Sequence, residues 1–280
     1  MRKIALICLF GTFVACNNAT ETNNEPLTAQ DILNASYGDD SQQKMDVYLP
    51  AGRNQNTKVI VLVHGGGWTG GSRSDFNYFI PILKAQFPNH AIVNMDYRLA
   101  TADSPGFPKQ IDDIQAALTF LKTNDYNISD DFAFIGASAG AHLSMLYAYK
   151  YDDAHKVKAV CSIVGPADFT DPSYTQNPLF ANGLTYLVGN VSYDQNPDLI
   201  ADVSPASHVT AQSPPTIMFY GGQDPLVPAT QGPRLKTQLD AFGVYNELNV
   251  YPQGGHGNWG SATMLDFQLR LMAFLHSRFE

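Results

Sequence analysis

The chain has 280 residues, with 17 Lys and Arg against 26 Asp and Glu, for a formal net charge of −9. An acidic chain without a basic cluster lacks the electrostatic footprint of a nucleic-acid-binding protein, and its charge alone names no substrate. Its length suits one large α/β domain, and no internal repeat or linker divides it.

At the start, Met1-Arg2-Lys3 is basic and residues 4–15 are apolar, a run too short to span a bilayer as a mature helix. Residues 1–15 therefore read as an export signal. The run ends at Phe13-Val14-Ala15-Cys16 and turns polar at once. This resembles the processing site of bacterial lipoproteins, which implies that Cys16 is the lipidated first residue of a membrane-anchored mature protein. An ordinary cleaved signal would make Cys16 incidental; in either case the protein is exported. Removing the signal takes away Arg2 and Lys3 and no acid, so −9 becomes −11. Residues 16–36 bury little and are expected to form a flexible tether, leaving 37–280 as the folded domain.

Residues 44–49 alternate like a half-buried strand, and 58–63 form a continuous apolar run, the mark of a strand covered on both faces. A helix is expected near 75–86, a strand at 91–95, and a helix at 111–121 with Pro108 near its start. Next come a strand at 131–135, a helix at 141–149 and a strand at 157–164. That last strand holds Cys161; Cys8 and Cys16 belong to the signal and its end, so Cys161 reads as a core residue with no disulfide partner in the domain. Beyond an irregular stretch, strands at 216–220 and 245–251 flank a helix ending near Phe242-Gly243, and 264–279 closes the chain as an amphipathic helix. The alternation predicts an α/β fold with a mostly parallel central sheet and helices on both faces, functional groups collecting at the carboxyl ends of its strands.

Candidate chemistry sits at those ends. Gly136-Ala137-Ser138-Ala139-Gly140 is G-x-S-x-G between a strand and a helix, a turn that strains the serine and presents its hydroxyl above the sheet. His64-Gly65-Gly66-Gly67-Trp68 follows the 58–63 strand and crowds backbone N–H groups around one point, without the spacing of a dinucleotide or phosphate loop. Asp224 follows the 216–220 strand and His256 follows the last one. A serine hydroxyl needs a base near neutral pH, and an imidazole base needs a carboxylate to fix its tautomer, so the order Ser138, Asp224, His256 matches nucleophilic acyl transfer.

These motifs resemble the α/β-hydrolase esterases and lipases related to hormone-sensitive lipase, through residues 64–68, Asp96-Tyr97-Arg98-Leu99-Ala100 and the Ser138 elbow. Residues 43–50, 136–143 and 204–209 are more narrowly similar to exported esterases that remove acetyl and feruloyl groups from plant polysaccharides. In the elbow, Ala137 stands where the lipase branch has an acid and Ala141 where it has a second glycine. The resemblance implies Ser138 as nucleophile, His256 as general base and acid, Asp224 as orienting carboxylate, and an oxyanion hole from Gly66, Gly67 and Ala139. It also implies a cap insertion at about 168–200 and no metal or organic cofactor. The expected substrate is a small or polysaccharide-linked ester with a short acyl or aryl group. An exported serine peptidase and a noncatalytic surface-binding homologue are the alternatives.

Trp68, Trp259, Phe169, Tyr174, Phe180 and Tyr186 are candidates to line the ester pocket or to pack the cap onto the sheet. His64 is expected to anchor its loop, Asp96 to pair with Arg98, and His142 to pack in the layer covering the sheet. The oligomeric state is left open.

Overall fold

The computed structural model describes residues 26–176, 178–191 and 195–280. The signal, Cys16 and the tether up to residue 25 lie outside the described residues, as does the Phe180 side chain. In chain order the elements are β1 (Gln30–Ser36), β2 (Lys44–Leu49), β3 (Val59–Val63), α1 (Ile80–Gln86), β4 (Ala91–Met95), α2 (Lys109–Thr123), β5 (Phe132–Ala137) and α3 (Ala139–Leu146). There follow β6 (Val157–Ile163), α4 (Pro172–Thr175), α5 (Pro178–Val188), α6 (Pro197–Asp202), β7 (Thr216–Gly221), α7 (Gln231–Ala241), β8 (Asn246–Tyr251) and α8 (Ser261–Arg278).

The strands form one sheet in the order β1-β2-β4-β3-β5-β6-β7-β8. From β4 to β8 all neighbours are parallel; β2 and β1 extend the sheet antiparallel. This is the α/β-hydrolase fold. The β3 run is apolar throughout because both of its faces are covered. Val59, Val61 and Val63 join a core with α2, α3 and α7, whereas Ile60 and Leu62 join a second core with α1 and α8. Burying each such side chain contributes about 1.5–3 kcal/mol, which fixes the central strands as the rigid base of the site. Cys161 is buried in β6, and burial pushes its thiol pKa up, so it stays protonated and inert.

Three expectations are corrected. The folded sheet starts inside the segment assigned to the tether, because β1 pairs with β2 from Gln30. As an outermost strand, β1 needs only Ile32 and Ala35 against the core, and its polar remainder hides the pattern. Asp96 does not pair with Arg98. Strand alternation ends at Met95, and Asp96 turns to Arg73 while Arg98 turns to Asp113, fully buried on α2, at 2.6 Å. The helix expected at 75–86 is also split, into a 3-10 turn at Arg73–Phe76 and α1.

Candidate active site

The site begins where β5 ends. Ser138 has φ 51° and ψ −118°, in the left-handed half of backbone space, where a side chain costs about 1–3 kcal/mol. Its N–H donates to the Ile163 carbonyl of β6 at 2.7 Å, and its carbonyl accepts from the His142 N–H at 3.0 Å. A Cβ at Gly140 would lie 2.1 Å from the Val63 carbonyl oxygen, and one at Gly136 would lie 2.5 Å from the Gly140 oxygen. The turn therefore sits directly on the end of β3 and tolerates no side chain at either glycine. The Ser138 hydroxyl makes no helix-capping bond and is left for another partner.

That partner is His256. Its Nε2 lies 2.9 Å from Ser138 Oγ, and its Nδ1 lies 2.8 Å from Asp224 Oδ2. The other carboxylate oxygen of Asp224 accepts the N–H groups of Leu226 and Val227 at 2.8 and 2.9 Å. A buried acceptor at Nδ1 places the imidazole proton there, which leaves Nε2 free to accept the serine proton. The Asp224 side chain is fully buried and the His256 side chain is 19% exposed. The two loops meet because β7 ends in glycine: a Cβ at Gly221 would come within 2.2 Å of the Gly255 oxygen.

The glycine run crosses above the serine, since a Cβ at Gly65 would be 3.2 Å from Ser138 Cβ. Peptide planarity orients its donors. His64 Nδ1 donates to the Gly65 carbonyl at 2.7 Å, and fixing that oxygen fixes the Gly66 N–H on the opposite side of the same peptide. The Gly66 carbonyl accepts from the Thr69 and Gly70 N–H groups at 3.1 and 2.9 Å, which orients the Gly67 N–H in the same way. Among the described residues neither of these two N–H groups has an intramolecular acceptor, and the Ala139 N–H is the first of α3, where helices leave donors unsatisfied. His64 stacks on Tyr97 with ring centroids 4.2 Å apart, and burial lowers its pKa, so it anchors the loop as a neutral ring, as its sequence context suggests.

Ser138 and His256 open into a cavity of about 630 Å³, a size typical of small-molecule sites. Trp68, Phe169, Tyr174 and Leu184 line one side; Phe76, Trp259, Met264 and Phe267 line the other. The first group belongs largely to one sheet face's core and the second to the other, so the serine stands between two apolar walls. Trp68 and Trp259 are only 6% and 8% exposed, and they act as walls rather than open stacking platforms. Tyr186 is not part of the cavity lining and is exposed. Tyr78 and Leu226 were not singled out from sequence, yet both line the cavity and are more than half exposed, which places them at its mouth. Leu226 lay two positions from the candidate Asp224, so its place could have been anticipated; Tyr78 carried no such signal.

Residues 45–239 match the BD-FAE family, well over half of the chain. The chain belongs to the BD-FAE family. Among curated proteins it is similar to Esterase LipC of Mycobacterium tuberculosis, at 30% identity over 79% of this chain and 58% of that protein. The chain spans about half the length of the first curated relatives it matches. Among solved structures it resembles a truncated carbohydrate esterase from gut microbiota, with TM-score 0.71 and 22% identity over 88% of this chain and 97% of that one. It also resembles a bifunctional GH43-CE protein of Bacteroides eggerthii, with TM-score 0.72 and 26% identity over 87% of this chain and 38% of that one.

Proposed function

We propose that this protein hydrolyses carboxylic esters through a covalent acyl-enzyme on Ser138. The observation that carries the reading is the hydrogen-bonded relay from Ser138 Oγ through His256 to buried Asp224, at 2.9 and 2.8 Å, opening into an apolar cavity. In this reading Ser138 Oγ attacks the ester carbonyl carbon as His256 Nε2 takes the hydroxyl proton. The tetrahedral oxyanion rests against the N–H groups of Gly66, Gly67 and Ala139, each such donor being worth about 100- to 1000-fold in rate. Collapse breaks the ester C–O bond, and His256 returns the proton to the departing alcohol. Water, deprotonated by His256, then attacks the acyl carbon and releases the acid and Ser138.

The lining supports a neutral substrate with a short acyl or aryl group. Among the described residues the lining holds no Lys or Arg to pair with an anionic group, and its one carboxylate is Asp75, on the exposed 3-10 turn. Relatives named as carbohydrate esterases make acetylated or feruloylated polysaccharide a fitting source of such esters.

The test is a panel of p-nitrophenyl acetate, longer p-nitrophenyl acyl esters, methyl ferulate and acetylated xylan, beside Ser138→Ala. Turnover by the wild type that drops by about 10⁴-fold or more in the variant is expected. No turnover on any ester, with Ser138 silent toward a serine-directed phosphonate, refutes the reading. The polar turn after Ala15-Cys16 supports export and lipid anchoring through Cys16 as part of the same proposal. Labelled palmitate should enter the wild-type protein in bacterial cells and be lost from Cys16→Ser; equal labelling of the two removes the anchor.

A further inference from the structure

A second imidazole lies next to the site and takes no part in the relay. His142 is one helical turn past Ser138 on α3 and has no exposed surface. Its Nδ1 lies 3.2 Å from the indole Nε1 of Trp68, and its Nε2 lies 2.8 Å from the Val203 carbonyl, just beyond α6. An indole N–H can only donate and a carbonyl can only accept, so His142 is the neutral tautomer with its proton on Nε2. The ring also packs against Phe169 at a centroid distance of 5.2 Å. Three separate segments thus meet on one side chain: the glycine-run loop, the elbow helix and the insertion between β6 and β7.

Trp68 is held through both its carbonyl and its indole. Its carbonyl accepts the Ala100 N–H and Gln110 Nε2, each at 2.8 Å, and its indole donates to His142. Its φ is +65°, a conformation that a non-glycine residue keeps only where its surroundings impose it. Trp68 stands inside the 66–70 turn, whose closing bonds onto the Gly66 carbonyl orient the Gly67 N–H.

We propose that His142 is a positioning residue for acyl transfer: by holding the Trp68 indole it fixes the 66–70 turn, and with it the Gly67 N–H, at the reacting oxygen. The inference rests on the esterase reading of the site. His142 touches neither substrate nor the reacting atoms; it acts through Trp68, and it seats the Phe169 wall of the same cavity. A donor displaced by a fraction of an ångström from the developing oxyanion loses much of its effect, so the expected signature is on the chemical step rather than on binding.

The experiment measures kcat and KM on p-nitrophenyl acetate for wild type, His142→Leu, His142→Gln, Trp68→Phe and the His142→Leu/Trp68→Phe double variant. Each kcat is expressed per serine titrated by a phosphonate, so that a smaller folded fraction does not count as slower chemistry. His142→Leu and Trp68→Phe should each lower kcat by about tenfold with KM changed less than about threefold, since each breaks the same buried bond. The double variant should be no slower than the worse single variant, because one contact cannot be lost twice. His142→Gln, whose carboxamide offers one donor and one acceptor, should recover kcat to within about threefold of wild type. Wild-type kcat in Trp68→Phe, losses that multiply in the double variant, or a folded His142→Gln as slow as His142→Leu would each overturn the proposal. Should His142→Leu fail to fold, the Trp68→Phe and His142→Gln arms decide it. A wild type that turns over no ester and takes up no phosphonate removes the esterase reading and this inference with it.

Discussion

Two regions bring an imidazole up to the Ser138 elbow, and they use it in opposite ways. His142 is on the same helix as the serine, yet its ring turns to Trp68 and Val203. His256 is 118 residues away in sequence and is the one that meets Oγ. The tautomers are reversed as well: His256 carries its proton on Nδ1 for Asp224, whereas His142 carries it on Nε2 for a backbone carbonyl. In the proposed reading, what separates the transfer group from the strut is the second partner and access. His256 has a carboxylate behind it and one edge on the cavity; His142 has an indole, a carbonyl and no contact with solvent.

The largest expected effect breaks the carboxylate side of that contrast. In Asp224→Asn the carboxamide oxygen stays with the Leu226 and Val227 N–H groups, because only an acceptor can satisfy both. The amide NH₂ then faces His256 Nδ1 and forces the proton onto Nε2, the tautomer that His142 already has. A serine facing a donor cannot hand over its proton, so kcat should fall by about 10⁴-fold while the fold is kept. Steady-state kinetics with a thermal melt of the same protein checks this. A loss below about tenfold would mean that Asp224 merely fastens its loop.

What the chain disclosed in advance follows a physical division. Strands β3 and β7 were legible because burial on both faces requires uninterrupted apolar runs, and Ser138 and Asp224 were legible as candidates because each follows a buried strand, whereas His256 follows the half-buried β8 and was marked by its place after the last strand. Strand β1 was not, since an edge strand needs only a few apolar side chains. The Arg98–Asp113 pair was missed because ion pairing depends on where the chain turns after a strand, which no local spacing records. His142 was expected to be packed and is, but its role depends on the Val203 carbonyl, and a backbone atom looks alike at every position. The cavity mouth is built by Tyr78 and Leu226, ordinary loop residues until the fold brings them to the serine.

A smaller effect should expose the other imidazole through stability. Burial pulls the His142 pKa from its ordinary 6.5 down to about 4, with only the Val203 carbonyl opposing, and no carboxylate stands by to accept the charge. Between those pH values the unfolded chain binds a proton that the folded chain refuses. The stability contributed is therefore full above pH 6.5 and declines as pH falls toward 4, by roughly 3 kcal/mol in all. His64 and His90, whose pKa values burial also lowers, add losses of the same sign. Urea unfolding at about pH 7.5 and about pH 4.5 separates the contributions, because His142→Gln cannot titrate and should lose less stability on acidification than wild type does. Equal losses in the two proteins would mean that the His142 ring charges within the folded state at its ordinary pKa. A protonated Nδ1 could not accept the Trp68 indole, so that outcome would dissolve the strut and, with it, the contrast between the two regions.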